Sequence, residues 1–449
     1  MPRLLVLSQT HNHWGGIEAW MSEVLPFLQE GGWDIHYGLA LGRRHNDPEQ
    51  FVAHHPYMRQ VHLMDGRAAT PSARQAAVGR LVRQVAPDAV MPLAIGDALP
   101  ALVAERARGG KARLLCAVHS LHTGTLADLV GYRHVIDTVV VVSGLQHRWL
   151  AASQAFAPER VRWVRNGVPV AAHPRAPRAG PLRVGYVGRI ENSIKRSGDV
   201  AAVLRACVRE GTPIAMTVAG DGPDRAATEA AVRAIEPRPP TRFLGFQERA
   251  VLYREVYPQL DALVLASVTE GSPLALIEAM QNGVVPVVSE YFGFAAEGLL
   301  RPGHNCLSFP VGDVALAASH LDRLSRDPAL LAGLSARARE SVAGRYDRST
   351  MLQGWRDAFA ALSTLPPLAP AAVPPRVAYG RLDRWGVPAA LANWLRRHGG
   401  APQGAADGFD EWPGSVYGDG GLPVSIDNSL RAIEAECAGR LAGNDRAFA

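Results

Sequence analysis

The sequence contains four cysteines, Cys116, Cys207, Cys306 and Cys437, far apart and never in a Cys-x-x-Cys pair. A disulfide framework and a zinc knuckle are therefore not expected, and a reducing compartment fits. No run of about 18 apolar residues occurs, and the apolar run within Met1–Gln9 is too short for the core of a signal peptide. The expected location is the cytoplasm, without a membrane span. There is no Asp-x-Asp pair, no His-Glu-x-x-His and no phosphate-binding P-loop, so neither a metal site nor a cofactor is expected. Basic residues never cluster densely with aromatics, and 47 Lys and Arg against 42 Asp and Glu leave a net charge of only +5. Nucleic acid is not an expected partner, whereas an anionic small ligand or an acidic membrane surface suits that balance.

What is present is a long chain with ample core-forming material. At 449 residues it exceeds the size at which single cores stop growing, about 250–300 residues, so two or three domains are expected. Short runs rich in Val, Ile and Leu alternate with longer amphipathic segments, the βαβ pattern of parallel sheets covered on both faces. Leu4–Leu7, Ile35–Leu39, Leu114–Val118 and Thr138–Val142 read as strands, with helices at Ile17–Gln29 and Ala73–Val85. A second series follows at Arg183–Val187, Ile214–Ala219, Thr241–Leu244, Ala262–Ala266 and Val284–Val288. Asn166–Pro181 reads as the linker, Thr350–Leu362 as a helix, and Thr364–Arg376, with five prolines, as irregular chain. Trp385, Trp394 and Trp412 suggest a small packed extension whose role is not legible.

Chemistry concentrates in Asp261–Ser289, which reads strand, loop, helix, strand, with Pro273 at the helix start and Gly283 past its end. The loop Val268–Ser272 thus lies at the carboxyl end of a strand and at a helix N-terminus, where free N–H groups and the helix dipole favour phosphate. Glu270 and Glu278 frame the helix with seven residues between them. A carboxylate accepts bonds from vicinal hydroxyls, so one can hold a sugar ring and the other a ribose. Taken alone, chance spacing of solvated glutamates explains most such pairs, and an exposed helix position explains Glu278 by itself as well as a ribose contact does. Arg189 and Lys195 follow another strand, where fixed cations would stabilise the charge of a departing diphosphate without a metal. Gly15-Gly16 opens a helix after the first strand and permits close approach of a pyrophosphate; an ordinary turn explains it as well. His119 ends a strand and can hydrogen-bond a sugar hydroxyl or a backbone carbonyl, although a lone histidine in a cleft is more often structural. His11, His13 and His122 lie nearby in sequence but lack the partners of a metal site.

These segments together resemble the retaining glycosyltransferases of family 4, glycosyl transferases group 1, which have the GT-B fold. The resemblance rests on Gly185-Tyr-Val-Gly-Arg189 with Lys195, Val218-Ala-Gly-Asp-Gly-Pro223, Phe243-Leu-Gly245, Glu270-Gly-Ser-Pro-Leu-Ala-Leu-Ile-Glu278-Ala-Met280 and Gly283-Val-Val-Pro-Val-Val288. Asp137–Ser143 and Asn166-Gly-Val-Pro169 also match, and the likeness runs over roughly residues 1–362. It implies an α/β fold of two Rossmann-like, doubly wound domains facing across a cleft, plus a C-terminal extension. The implied divisions are an acceptor domain at 1–175, a donor domain at 181–345, a helix at 346–363 packing back toward the first domain, and an extension at 364–449.

The implied activity is a metal-independent, hexosyltransferase-like transfer from a UDP- or GDP-type nucleotide diphosphate sugar. The acceptor is open among a glycan, a lipid-linked sugar and a small metabolite. Arg189 and Lys195 would hold the diphosphate, Glu270 the transferred sugar and Glu278 the ribose, with Gly15, Gly16, Gly271, Ser272, Pro273 and Leu274 against phosphate or sugar. Phe243 and Leu244 would approach the base, and His119 would face the reaction centre. Ser272 stands where the family often has an aromatic or small residue, which leaves the sugar open. A peripheral contact with the inner face of a membrane would run through Arg74, Arg80 and Arg83 on one helix. The alternatives are a GT-B nucleotide-sugar epimerase and a catalytically silent binding subunit.

Overall fold

The computed structural model describes residues 1–11, 15–67, 70–171, 180–368, 387, 391, 395, 411–416 and 421–445. The chain forms two compact units, one of residues 1–142, 146–164 and 352–430, the other of 143–145, 165–351 and 431–449. Each is built on a fully parallel sheet.

The described residues of the first unit form seven strands: β1 (Arg3–Ser8), β2 (Asp34–Leu41), β3 (Gln60–Asp65), β4 (Ala89–Leu93), β5 (Arg113–Val118), β6 (Thr138–Val141) and β7 (Val161–Trp163). Their order is β3-β2-β1-β4-β5-β6-β7, so the winding reverses between β1 and β4. β4 and β6 are buried along their whole length, as strands covered on both faces must be, and this is why Thr138–Val142 reads as a continuous apolar run. The helix Gly16–Glu30 lays Trp20, Met21, Val24, Leu25 and Leu28 into the core. The helix Arg348–Thr364 supplies Trp355, fully buried with its ring 4.6 Å from that of Trp20, and Phe359, 5.1 Å from Trp33.

The second unit has β8 (Leu182–Val187), β9 (Ile214–Ala219), β10 (Thr241–Gly245), β11 (Ala262–Leu265), β12 (Val285–Ser289) and β13 (Leu307–Phe309), ordered β10-β9-β8-β11-β12-β13. Its winding reverses between β8 and β11. Alternation of a strand with a helix through both units forces the parallel arrangement, because each crossover must return the chain to the same end of the sheet.

The expected strands and helices are present, with boundaries shifted by a residue or two. Four strands escape the sequence pattern for physical reasons. β3 is an edge strand with Met64 its one buried residue, β4 carries Pro92, and β7 and β13 are three residues each. The segment read as a linker begins as ordered structure: Val168 is fully buried, donates its N–H to Tyr346 O at 2.8 Å and accepts from Arg348 N at 2.8 Å. Residues 172–179, much of the proline-rich stretch, Trp385 and Trp394 lie outside the described residues. Trp412 is fully buried in the first unit.

The helix Pro71–Val85 corrects one expectation. Arg74 is buried and paired with Asp97, so it is withdrawn from that face, whereas Arg80 and Arg83 keep exposed places, Arg83 in an ion pair with Glu105. No described helix is long and apolar enough to cross a membrane.

Candidate functional site

In the second unit the loops at the carboxyl ends of β8, β9 and β11 converge at the point where strand order reverses, the usual ligand position in an open parallel sheet. The loop after β8 is tied to its neighbours through backbone bonds from Gly188 N to Ala219 O at 3.0 Å, Ile190 N to Asp221 O at 2.9 Å, and Val268 N to Ile194 O at 2.8 Å. Gly220, with φ +145°, passes so close that a Cβ there would lie 1.8 Å from Gly188 O, which explains the glycine after Val218-Ala219.

The loop after β8 delivers Lys195 to Glu270. Lys195 Nζ stands 2.6 Å from Glu270 Oε1, and Ser267 Oγ donates to the same oxygen at 2.6 Å. Glu270 is buried, and its N–H donates to Phe292 O at 3.2 Å. Arg189 is the more exposed cation, 3.2 Å from Glu191 Oε2, with its carbonyl held by Tyr186 OH at 2.6 Å. The helix Leu274–Gln281 starts after Pro273 with no side chain capping it, which leaves its leading N–H groups and positive dipole end for a ligand. Ser272 Oγ is buried without a partner, while its carbonyl accepts from Asn166 Nδ2 at 3.2 Å. Gly271 and Leu274 are half-buried on either side.

Glu278 is buried in a different setting. Its Oε1 accepts from Arg249 Nη2 at 2.9 Å and Tyr253 OH at 2.8 Å, and its Oε2 from Tyr257 OH at 2.6 Å. Burial first, and then the Glu278 charge, raises both tyrosines well above the ordinary phenol range, so their hydroxyls stay donors. An exposed helical glutamate is ruled out at this position. Phe243 packs against the main core of the unit, and Leu244 against the cluster containing Tyr257 and Ala279.

In the first unit Gly15 is the N-cap of the helix Gly16–Glu30, in extended conformation and with no side chain capping the helix. His119 follows β5, its ring 4.8 Å from Trp20. Its Nε2 is closed to solvent and has no hydrogen-bond partner, and burial lowers its pKa to about 4, so the ring is neutral at ordinary pH. His11 lies in the described loop after β1, His13 falls outside the described residues, and His122 caps the helix Thr123–Gly131 through Nδ1, 3.4 Å from Thr125 N. No group of three or more metal-ligating residues occurs among the described residues.

Two features were not anticipated from the sequence. Glu18, in the first turn of the helix after Gly15-Gly16, has its carboxyl raised to about 7 by burial, partly offset by backbone hydrogen bonds. Its position three residues into a helix opened by glycines was the available signal. The Arg249, Tyr253 and Tyr257 set around Glu278 was signalled only by spacing of four residues.

The His119 environment gives a pH prediction. Its folded-state pKa lies below the ordinary 6.5, so between about pH 6.5 and 4 the unfolded chain binds more protons and stability falls as pH falls. Acid denaturation of His119→Gln should show a shallower loss across that window than the unaltered chain, while an identical slope would mean that the imidazole is solvated.

Residues 181–327 match the model for "Glycosyl transferases group 1". The chain is 30% identical over 210 residues to a glycogen synthase of Mycobacterium tuberculosis, covering 44% of this chain and 48% of that protein, so it spans about half the length of this relative. Among solved structures it is similar to the lipopolysaccharide outer core galactosyltransferase WaaB, with TM-score 0.62, 18% identity, and coverage of 80% of this chain and 99% of that one. It is also similar to Anabaena Alr3699/HepE in complex with UDP-glucose, with TM-score 0.62, 18% identity, and coverage of 81% and 100%. Residues 181–327 are thus a glycosyl transferases group 1 domain, in a chain whose two Rossmann-like domains have the GT-B glycosyltransferase fold.

Proposed function

We propose that the protein is a metal-independent glycosyltransferase of family 4 type that takes a sugar from a nucleotide diphosphate donor, with UDP-glucose the first candidate. The observation that carries this reading is the Lys195–Glu270 pair at 2.6 Å beside an uncapped helix N-terminus. A cation, free N–H groups and a carboxylate there match the three parts of such a donor: diphosphate, its remaining oxygens and the sugar hydroxyls. The UDP-glucose in Alr3699/HepE supports the uridine choice; a GDP-type donor remains within the chemistry of the site.

In this reading Arg189 and Lys195 hold the diphosphate, Glu270 the sugar hydroxyls, Gly271 to Leu274 the phosphate through backbone and Ser272 Oγ, and Glu278 the ribose through its remaining lone pair. Phe243 and Leu244 act through the core they support, with the backbone beside them facing the base. In the amino-terminal domain, the proposed acceptor side, Gly15 and Gly16 lie against the donor phosphates and neutral His119 accepts or donates one sugar hydrogen bond.

Transfer proceeds with retention. The acceptor oxygen attacks the anomeric carbon on the face from which the diphosphate leaves, the bond from that carbon to the phosphate oxygen breaks, and the acceptor's proton passes to the departing oxygen. The cations and the helix N-terminus stabilise the charge that develops. The acceptor is a glycan, lipid-linked sugar or small metabolite.

Incubation with a panel of UDP- and GDP-sugars in the presence of a chelator tests the reading. Slow release of nucleoside diphosphate from one donor, unaffected by the chelator, is expected. Release that requires added divalent metal, or none from any donor, overturns it.

A further inference from the structure

The described part of the C-terminal extension at residues 411–416 lies across the carboxyl ends of the strands of the first unit. Trp412 is fully buried and its indole N–H reaches Leu41 O, at the end of β2, at 3.3 Å. Gln9, just past β1, donates through Nε2 to Trp412 O. Gly96, past β4, donates its N–H to Pro413 O at 2.8 Å. Val416 N donates to Asp128 Oδ2 at 3.0 Å in the helix after β5. The segment therefore spans the reversal of winding between β1 and β4, where a sheet of this kind takes its ligand.

At one end of this strap, the Glu411 carboxylate sits in a nest of backbone amides. Oε1 accepts from Arg43 N at 2.5 Å and Arg44 N at 2.7 Å, and Oε2 accepts from His45 N and Asn46 N, both at 3.1 Å, with Asn46 Nδ2 at 3.2 Å. Successive N–H groups converging on one point form an anion-binding concavity irrespective of what fills it. The nest is fixed to the loop after β1, because Asn46 Oδ1 accepts from Thr10 N at 2.9 Å. Two glycines make room for the strap: a Cβ on Gly42 would lie 1.9 Å from Glu411 Oε2, and one on Gly66 would lie 2.3 Å from Trp412 Nε1. Desolvation pushes the Glu411 carboxyl up, but hydrogen bonds from Asn46, His45 and Arg43 outweigh it and hold the pKa down at about 2. With a lowered folded-state value, the contact contributes above the ordinary glutamate range and is lost only as pH falls toward 2.

We infer that the amide nest at Arg43–Asn46 is an anion subsite for an acidic group of the acceptor, a phosphate or carboxylate, and that Glu411 is its resident occupant which the acceptor displaces. The inference rests on the glycosyltransferase reading for the word acceptor; the anion subsite itself does not.

The test is made on the full chain without any donor, so its failure leaves the transfer reading untouched. Hydrogen exchange is followed at residues 43–46 in the unaltered chain and in Glu411→Ala, each with and without inorganic phosphate or phosphatidylglycerol vesicles in phosphatidylcholine. Glu411→Ala is expected to speed exchange at these amides by about tenfold or more, and phosphate to restore the protection. Restoration by phosphate but not by the vesicles marks a soluble acidic acceptor, and restoration by both marks a lipid headgroup. Exchange that stays fast with either ligand shows that the nest is only a staple for the strap and overturns the inference, as does exchange unchanged by the substitution. Should Glu411→Ala lose its fold, Glu411→Gln, which keeps the shape and removes the charge, is read in the same way.

Discussion

Lys195→Ala is expected to lower turnover about 10²–10³-fold, the cost of removing one donor from a preorganised charge-stabilising site, about 2.7–4 kcal/mol. The structure adds a second consequence. Lys195 is the counter-charge of buried Glu270 at 2.6 Å, so its loss leaves a carboxylate with Ser267 Oγ as its one side-chain donor among the described residues. Breaking a buried pair from one side costs about 3–5 kcal/mol where burial is complete, and less here because the lysine keeps partial exposure. The double variant Lys195→Ala with Glu270→Gln separates the two effects: denaturant unfolding should recover part of the lost stability while turnover stays low. Recovery of turnover in the double variant would make the lysine a mere partner for the glutamate and remove it from the proposed diphosphate site.

The two glutamates should respond differently to neutralisation. Glu278→Gln replaces a carboxylate that accepts three side-chain bonds with an amide whose NH2 must face one of those donors. Charge-assisted bonds become neutral ones of roughly half the strength, and Arg249 loses its counter-charge. Affinity for free nucleoside diphosphate is expected to fall at least about tenfold, together with some stability. Tyr257→Phe, which removes one bond and leaves the carboxylate, provides the milder comparison. Glu270→Gln should leave nucleoside diphosphate affinity nearly intact and weaken the intact donor or its turnover. Calorimetric titration of each variant with both ligands measures this. Equal losses for the two ligands in Glu270→Gln would make that glutamate structural.

Much of the fold was legible because parallel strands buried on both faces leave unmistakable apolar runs, as at Thr138–Val142 and Val284–Val288. Edge and very short strands carry no such signal, and β3, β7 and β13 were lost for that reason. The loop after β11 was legible through Pro273 and Gly283, which mark the helix ends chemically. That Lys195 meets Glu270 directly was not, since 75 residues separate them. Nor was the burial of Arg74, because helical periodicity places a residue near a face but does not say whether Asp97 waits there. The role of Glu411 was hidden for the same reason: amides of residues 43–46 have no signature in sequence and reveal themselves only when a carboxylate from 365 or more residues away settles among them.

The central claim is that the carboxyl ends of β8, β9 and β11 hold a nucleotide diphosphate sugar. A hydrogen-exchange footprint of the unaltered chain with UDP-glucose, and then with the GDP-sugars, tests it most directly. Slower exchange confined to the amides around Gly188–Lys195 and Gly271–Leu276 is expected for one donor, and its disappearance is expected in Lys195→Ala. Binding by any donor that leaves both segments unprotected, or no binding by any of them, would contradict the account.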